Sequence, residues 1–455
     1  MQVPAYVNTV LERLWAAGYE AYPVGGCVRD RLMGREPEDW DLCTSARPEE
    51  TAAVFSDLRQ LDAGVKHGTL TVFAQGRPVE ITTFRRESGY ADNRHPDGVE
   101  FVTRLAEDLG RRDFTVNAMA LDRDGAVIDL WGGQEDLARG VIRCVGRAEA
   151  RFQEDALRIL RALRFAARLS FSLEAETASA AVENRALLHS IAPERIFSEL
   201  KGILTGPGAG AVLRDFPEIF FEIIPELRPL YGFAQHSPHH RHDVWLHTTC
   251  GVEAVAPEVS LRLAMLLHDV GKPACFSRDE AGVGHFYGHA RAGEAMAEEI
   301  LRRLRCDNET RDTVGKLIHY HDIQPPQTTR AARRLLTKLG EGGVRRLAAC
   351  WRADNADRSQ EVRRRNLEAI ARAEALLAEV LAGEVCFSPK ELAVNGGDIL
   401  ALGVEKGPGV GAVLEELFRL VTEEELPNDR KRLLEKAAEL AAGKKGCDLP
   451  ENILQ

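Results

Sequence analysis

Nowhere does this 455-residue chain string together the ~18 apolar residues of a spanning helix, so no membrane segment is expected. Its nine cysteines include no Cys-x-x-Cys pair. The start, MQVPAYVNTVLERLWAAGYE, alternates charge with apolar residues instead of building a signal-peptide core. From these two features a reducing cytoplasm is expected. An excess of positive charge is also missing: 59 basic against 70 acidic residues give −11, which argues against nonspecific coating of nucleic acid while leaving room for a local basic groove. Fixed-period repeats and low-complexity tracts are lacking as well.

What is present is ordinary globular material, 44% hydrophobic and 28% charged. The length is about three domain lengths, so more than one core is expected. The first ~145 residues mix patterns: AYVNTVLERLWAAG is helical, EAYPV extended, and LTVFAQGRPVEITTF reads as two strands joined at Gln75 and Gly76. From about Glu149 onward the pattern is almost entirely helical. The fold class is therefore α+β, a mixed β-sheet head followed by a mostly α-helical remainder.

In YPVGGCVRDRLMG a strand runs into Gly25 and Gly26 and then into a helix bearing Arg29. Bare backbone N–H groups and a guanidinium converge there, and phosphate is the natural guest. Downstream, EPEDWDLCTSA sets Asp39 and Asp41 two apart on what reads as a strand. Both carboxylates project from one face, with Trp40 and Leu42 turned into the core. Two close carboxylates repel unless cations sit between them, which suits Mg²⁺ held by acids and substrate phosphates in a two-metal site. An isolated Asp-x-Asp is an ordinary surface pair; the glycine turn upstream favours the metal reading.

The stretch GGCVRDRLMGREPEDWDLCTSARPEE resembles the signature of class II tRNA nucleotidyltransferases and bacterial poly(A) polymerases, within the DNA polymerase β-like superfamily. VEITTFRRESGYADNRHPDGVEFV, LGRRDFTVNAMALD, RFQEDALRILRALRFAARLSF and IAPERIFSELKGIL agree in order, over roughly the first 205 residues. The resemblance implies that Gly26 and Arg29 contact the triphosphate, Asp39 and Asp41 bind the metals, and Arg112 reaches the nucleotide. Glu80 is a candidate third carboxylate. Taken alone, Arg112 would read as a solvated cap and Asn117 as a helix start.

EDALRILRALRF sets Asp155 and Arg158 three apart, adjacent on a helix surface, offering one acceptor and a fork of donors. Cytosine and adenine both present an amino donor beside an acceptor, whereas uracil and guanine present a carbonyl. Opposing that carbonyl with a carboxylate costs about 1–3 kcal/mol. The pair should accept CTP and ATP and reject UTP and GTP. Arg161 and Arg164 wind away around the helix and are assigned to ribose and phosphates, as the resemblance also implies. An isolated Arg-rich helix is more often a solvated face; adjacency to the other blocks reverses that preference.

The shared blocks leave CCA addition, A-addition and poly(A) synthesis open. FRRESGYADNRHPDGVEFV matches a flexible loop that CCA-adding and A-adding members carry, which disfavours a CC-only enzyme. The end, KKGCDLPENILQ, lacks the basic extension of poly(A) polymerases. CCA addition to tRNA from CTP and ATP is the first choice.

A second motif, LRLAMLLHDVGKP, places His268 beside Asp269, with Lys272 next, His247 upstream and His289, His321 and Asp354 downstream. A lone His-Asp is more often a cap. HDVG with these spaced histidines resembles the HD metal-dependent phosphohydrolase family, whose ligands suit Mn²⁺, Ni²⁺ or Zn²⁺. A metal-dependent RNA-end phosphohydrolase is thus the alternative of another class, and a noncatalytic RNA-end binder is weakest. The expected order is a nucleotidyltransferase head (1–145), a helical neck with the base-selecting helix (146–235), an HD domain (236–360) and a helical RNA-binding body (361–455). Oligomeric state is left open.

Overall fold

The computed structural model describes residues 2–62, 64–65, 68–88, 98–236, 242–382, 389–423 and 425–442. The centre of the expected flexible loop, residues 89–97, and the KKGCDLPENILQ end lie outside the described residues. The chain divides into two compact units, one of Met1–Tyr231, Pro257–Arg262 and Glu299–Asp307, the other of Gly232–Ala256, Leu263–Glu298 and Asn308–Gln455.

In the first unit, helix α1 (Ala5–Ala16) buries Val7, Val10, Leu11 and Leu14, the i, i+3, i+4, i+7 stripe of an amphipathic helix. β1 (Ala21–Pro23), α2 (Gly26–Leu32), β2 (Asp41–Thr44), α3 (Pro48–Val54), β3 (Gln60–Leu61), β4 (Thr69–Ala74) and β5 (Arg77–Thr83) follow. The strands form one sheet in the order β1-β2-β5-β4-β3, with β2 and β5 parallel and the other pairs antiparallel. Leu42, Leu70, Val72, Val79 and Ile81 meet the α1 stripe in a shared core. The β4–β5 hairpin turns at Gln75 and Gly76, both at positive φ (50° and 77°), the two-residue connection whose twist matches that of its strands.

A ribbon of β6 (Arg85–Ser88) and β7 (Gly98–Phe101) leads to α4 (Leu105–Gly110), then β8 (Met119–Leu121), β9 (Val127–Asp129), α5 (Gly133–Arg139) and β10 (Val141–Ile142). Helices take over with α6 (Ala148–Glu154) and α7 (Leu157–Leu169). After β11 (Ser172–Leu173) come α8 (Ala175–Glu183), α9 (Pro193–Leu204), which packs on α7, α10 (Ala209–Asp215) and α11 (Pro217–Ile223).

The remaining elements are α12 (Val244–Ala254), α13 (Val259–Leu267), the small pair β12 (Ser277–Arg278) and β13 (Gly284–His285), α14 (His289–Arg303), α15 (Asn308–Tyr320), α16 (Thr329–Asp354) and α17 (Gln360–Ala382). α16 packs on α12, α15 and α17, and is broken at Gly340, whose φ of 68° and ψ of 172° are not helical. α18 (Gly396–Ala401), α19 (Pro408–Thr422) and α20 (Arg430–Ala442) close a small core around Ile399, Val413, Leu417 and Leu433. The architecture is α+β, a sheet-bearing head followed by helices, as expected. Among the described residues, no helix is long and apolar enough to cross a membrane.

Candidate active site and a second histidine-aspartate centre

β2 begins at Asp41, so Asp39 lies just before the strand rather than within it. The alternation nevertheless holds: Asp39 and Asp41 are exposed, Trp40 and Leu42 buried. Parallel pairing places Glu80 of β5 in register with Asp41, and Glu80 is exposed on the same face. Asp41 therefore titrates above the ordinary carboxylate range. Partial desolvation is the first cause, Glu80's charge the second, and Asp39 adds to it against relief from Arg112. A hard divalent cation among these oxygens would remove the repulsion, and an all-carboxylate set fits one.

The chain enters α2 through Gly25, at φ 83° and ψ −130°, a conformation that only glycine adopts readily. A Cβ there would stand 3.0 Å from Arg112 Nη1, so the Arg112 guanidinium leans on the turn. It is held by buried Asp108: Arg112 Nη2 donates to Oδ2 at 3.2 Å and Arg111 Nε to Oδ1 at 2.9 Å. Arg112 is partly buried and partnered, unlike a solvated cap. Arg29, expected as an open phosphate donor, is instead only 7% exposed. Its Nη1 donates to Asn117 Oδ1 at 2.6 Å and its Nε to Asp30 Oδ1 at 2.9 Å. Asn117 thereby anchors Arg29 and donates in turn to Asp113 Oδ1 at 3.2 Å. Gly26 stays close, its absent Cβ lying 3.6 Å from Arg29 Nη2.

The expected single helix through Asp155 and Arg158 is two helices. Asp155 falls in the extended break between α6 and α7 (φ −138°, ψ 104°), where its Oδ1 accepts from Leu157 N at 3.0 Å. It caps rather than shares a helix face with Arg158. Arg158 donates to Glu154 Oε2 at 2.6 Å, and Asp155 Oδ2 lies 3.6 Å from Arg195. Arg161 donates through Nε and Nη2 to Asp113 Oδ2 at 3.0 and 2.7 Å. Burial would raise Asp113's pKa, but Arg161 beside it holds it below the ordinary range. Arg164 donates to Glu199 at 2.5 Å. Arg29, Arg161 and Arg164 also face one ring, Phe165, at 5.4, 5.8 and 4.6 Å from its centroid. Arg161 and Arg164 are thus tied to acids, not open as the helix pattern suggested.

The second constellation converges. His247, His268 and Asp354 form one group and Asp269, His289 and His321 another, with the ligating atoms of each within 4.8 Å of one another. Asp269 joins them: its Oδ2 is 3.2 Å from His268 Nε2 and its Oδ1 3.6 Å from His289 Nε2. His247 Nε2 lies 3.0 Å from Asp354 Oδ1, and the Nε2 atoms of His289 and His321 are 3.2 Å apart. The Nδ1 atoms of His268, His289 and His321 face the carbonyls of Met265, Phe286 and Ile318, which turns each Nε2 inward as metal-binding imidazoles require. Burial would lower the pKa of His268, but Asp269 and Asp354 push it up to about 9. So much negative charge around inward nitrogens suits cations, and the nitrogen-oxygen donor set fits transition divalent metals. Lys272 contacts Asp269 Oδ2 at 2.7 Å.

Over 95% of both chains, the sequence is 34% identical to the CCA-adding enzyme of Lacticaseibacillus paracasei. This chain belongs to the CCA-adding enzyme family. It is accordingly a nucleotidyltransferase. The CCA-adding enzyme of Streptococcus gordonii is 35% identical over 92% of this chain and 93% of its own. Residues 21–143 match the family described as Poly A polymerase head domain, 170–227 the probable RNA and SrmB-binding site of polymerase A, and 280–437 a putative tRNA nucleotidyltransferase domain 2. Among solved structures, the Bacillus stearothermophilus CCA-adding enzyme in complex with CTP is similar at TM-score 0.71 and 30% identity, over 98% of this chain and 100% of that one.

Within this CCA-adding enzyme fold, the pattern reading missed the acids behind the arginines. Asp108 and Glu154 each stand four residues before their arginine, a spacing that could have revealed them. Asp113 and Glu199 lie 48 and 35 residues from theirs, and no local pattern connects them.

Proposed function

We propose that this chain adds C, C and A to the 3′ end of tRNA from CTP and ATP. The observation that carries this reading is the grouping of Asp41 with Glu80 in register, Asp39 beside them, and Arg112 leaning on the Gly25 turn. Asp39 and Asp41, with Glu80 as a third oxygen donor, would hold Mg²⁺. Bound there, the ions would activate the terminal RNA hydroxyl and neutralise the departing pyrophosphate.

The side chains supply position and selectivity. Arg112 and Gly26 grip the triphosphate, and Arg29, locked to Asn117, stiffens the turn beneath it. Asp155 and Arg158 read the base edge, with Glu154 holding the arginine in place. Arg161 and Arg164 meet ribose and phosphates with the guanidinium edges that Asp113 and Glu199 leave open. The likeness to a relative solved with CTP and the match to a tRNA nucleotidyltransferase domain support these substrates. By position, the helices past residue 360 hold the tRNA, and the reaction belongs in the cytoplasm. We divide the work among a head (1–145), a neck (146–235), a histidine-aspartate domain (236–360) and an RNA-holding body (361–455).

The test is incubation with tRNA lacking its CCA end and labelled nucleotides, singly and together. Growth should stop after C, C and A. Addition of A alone, or a long A tail, would replace this reading with A-adding or poly(A) activity.

A second reading concerns the convergence of all six expected residues, His247, His268, Asp269, His289, His321 and Asp354. It favours a phosphohydrolase centre loaded with Mn²⁺, Ni²⁺ or Zn²⁺. Hydrolysis of p-nitrophenyl phosphate by the metal-loaded protein, lost in Asp269→Ala, is its test.

A further inference from the structure

A cavity of about 190 Å³ opens on His321 and Asp354 of the second centre. It continues into another of about 460 Å³ along α17; Gln324, Arg358 and Asn366 line both. The far part is bordered by Arg365 and Arg372. We propose that this groove binds the backbone of a single-stranded oligonucleotide whose terminal phosphate lies at the histidine-aspartate centre. The inference rests on the phosphohydrolase reading of that centre and names its substrate class.

Charge and spacing carry the argument. Arg358 donates to Asp354 Oδ2 at 2.8 Å, placing a guanidinium at the inner end with further N–H donors to spare. Arg365 and Arg372 are exposed, seven residues apart on one helix, hence two turns and roughly 10.5 Å along its axis. One phosphate group cannot span that distance, so the two address successive parts of a longer anion. Arginines elsewhere on α16 are neutralised: Arg330 and Arg334 pair with Glu423, and Arg345 with Glu341. Among the described residues Arg365 and Arg372 have no ion pair, and the helix's own Glu361 and Glu368 do not line the groove. Asp322 and Asp354 line only the inner cavity, so the two arginines without ion pairs leave the outer part of the groove positive, which attracts a polyanion, and the amide of Gln324 adds an uncharged donor.

In the reaction, a water oxygen bonds to the terminal phosphorus as the ester P–O bond breaks. The leaving oxygen takes a proton from that water, so inorganic phosphate and a hydroxyl chain end result, with no redox partner.

The full chain loaded with Mn²⁺ would be assayed on short oligoribonucleotides and oligodeoxyribonucleotides with a terminal phosphate, and on p-nitrophenyl phosphate. With R365Q/R372Q, KM for the strands should rise about tenfold or more while kcat holds, and the log–log salt slope should fall by about 1.4, roughly 0.7 per lost contact. The lysine pair R365K/R372K should recover part of the KM, whereas R363Q/R364Q, outside the groove, should not raise it. Either strand preference supports the groove and assigns the sugar it accepts. An unchanged KM and salt slope in R365Q/R372Q would overturn the groove while leaving the hydrolase reading intact. Failure of the loaded wild type to hydrolyse p-nitrophenyl phosphate would overturn both.

Discussion

Replacing Gly25 by alanine should damage both the fold and the nucleotide site, in separable amounts. At φ 83° and ψ −130° a residue with a Cβ pays about 1–3 kcal/mol in backbone strain. For a unit of roughly 250 residues each kcal/mol lowers the midpoint by about 2–4 °C, so a fall of about 2–12 °C is expected. The new methyl would also stand 3.0 Å from Arg112 Nη1, tighter than packing normally allows, and would push the guanidinium off the turn. Losing one charge-assisted contact of about 1.5–3 kcal/mol lowers kcat/KM for the nucleotide about 10- to 150-fold. The assay is thermal denaturation alongside single-nucleotide incorporation, for Gly25→Ala, Arg112→Gln and both together. If the methyl acts through Arg112, the kinetic losses are strongly sub-additive while the thermal losses are not. Full additivity in kcat/KM would refute the Arg112 link, and an unshifted midpoint would refute the backbone argument.

Asp41 sits above its ordinary value of 3.8 through desolvation, Glu80 and Asp39. A raised acid stabilises the fold below its unfolded pKa, and that contribution is lost as pH rises through the folded value. Ion-free protein should therefore gain stability on acidification into the window just above 3.8, and Asp41→Asn should erase the gain in pH-dependent melting. At neutral pH, Mg²⁺ at a hundred times its Kd should stabilise the wild type by about 2.7 kcal/mol and leave Asp41→Asn unmoved; indifference of the wild type would count against the site. Asp155→Ala should relax discrimination against UTP by about 1–3 kcal/mol, or roughly 5- to 150-fold, read in a four-nucleotide incorporation assay, where unaltered selectivity refutes the base-reading role. Asp269→Ala removes the carboxylate shared by both histidine groups, so elemental analysis should show metal content falling at both; unchanged stoichiometry excludes the centre.

Local patterns revealed what local geometry governs. The Asp39/Trp40/Asp41/Leu42 alternation was visible in the residue pattern even though only Asp41 and Leu42 lie in β2, and the β4–β5 turn because Gly76 breaks two alternating runs. The six residues of the second centre could be gathered only through family resemblance, since they span His247 to Asp354 and nothing in their spacing says which helices pack. The error at Asp155 has a local cause. The heptapeptide around it keeps an apolar helical rhythm, and only the aspartate's capping of Leu157 N shows that the helix restarts there. Asp113 and Glu199 stayed hidden because ion pairs closed across the fold leave no periodic trace.

The pairing of β2 with β5 has a consequence for how the enzyme matures. Asp41 and Glu80 meet only after nearly forty intervening residues have arranged themselves, whereas the β4–β5 hairpin can close early and locally. A nascent or misregistered head that has made the hairpin alone owns one acid without its neighbour. On the metal reading proposed above, capture of the ion would be a late event, and ion uptake during refolding would time the completion of the topology.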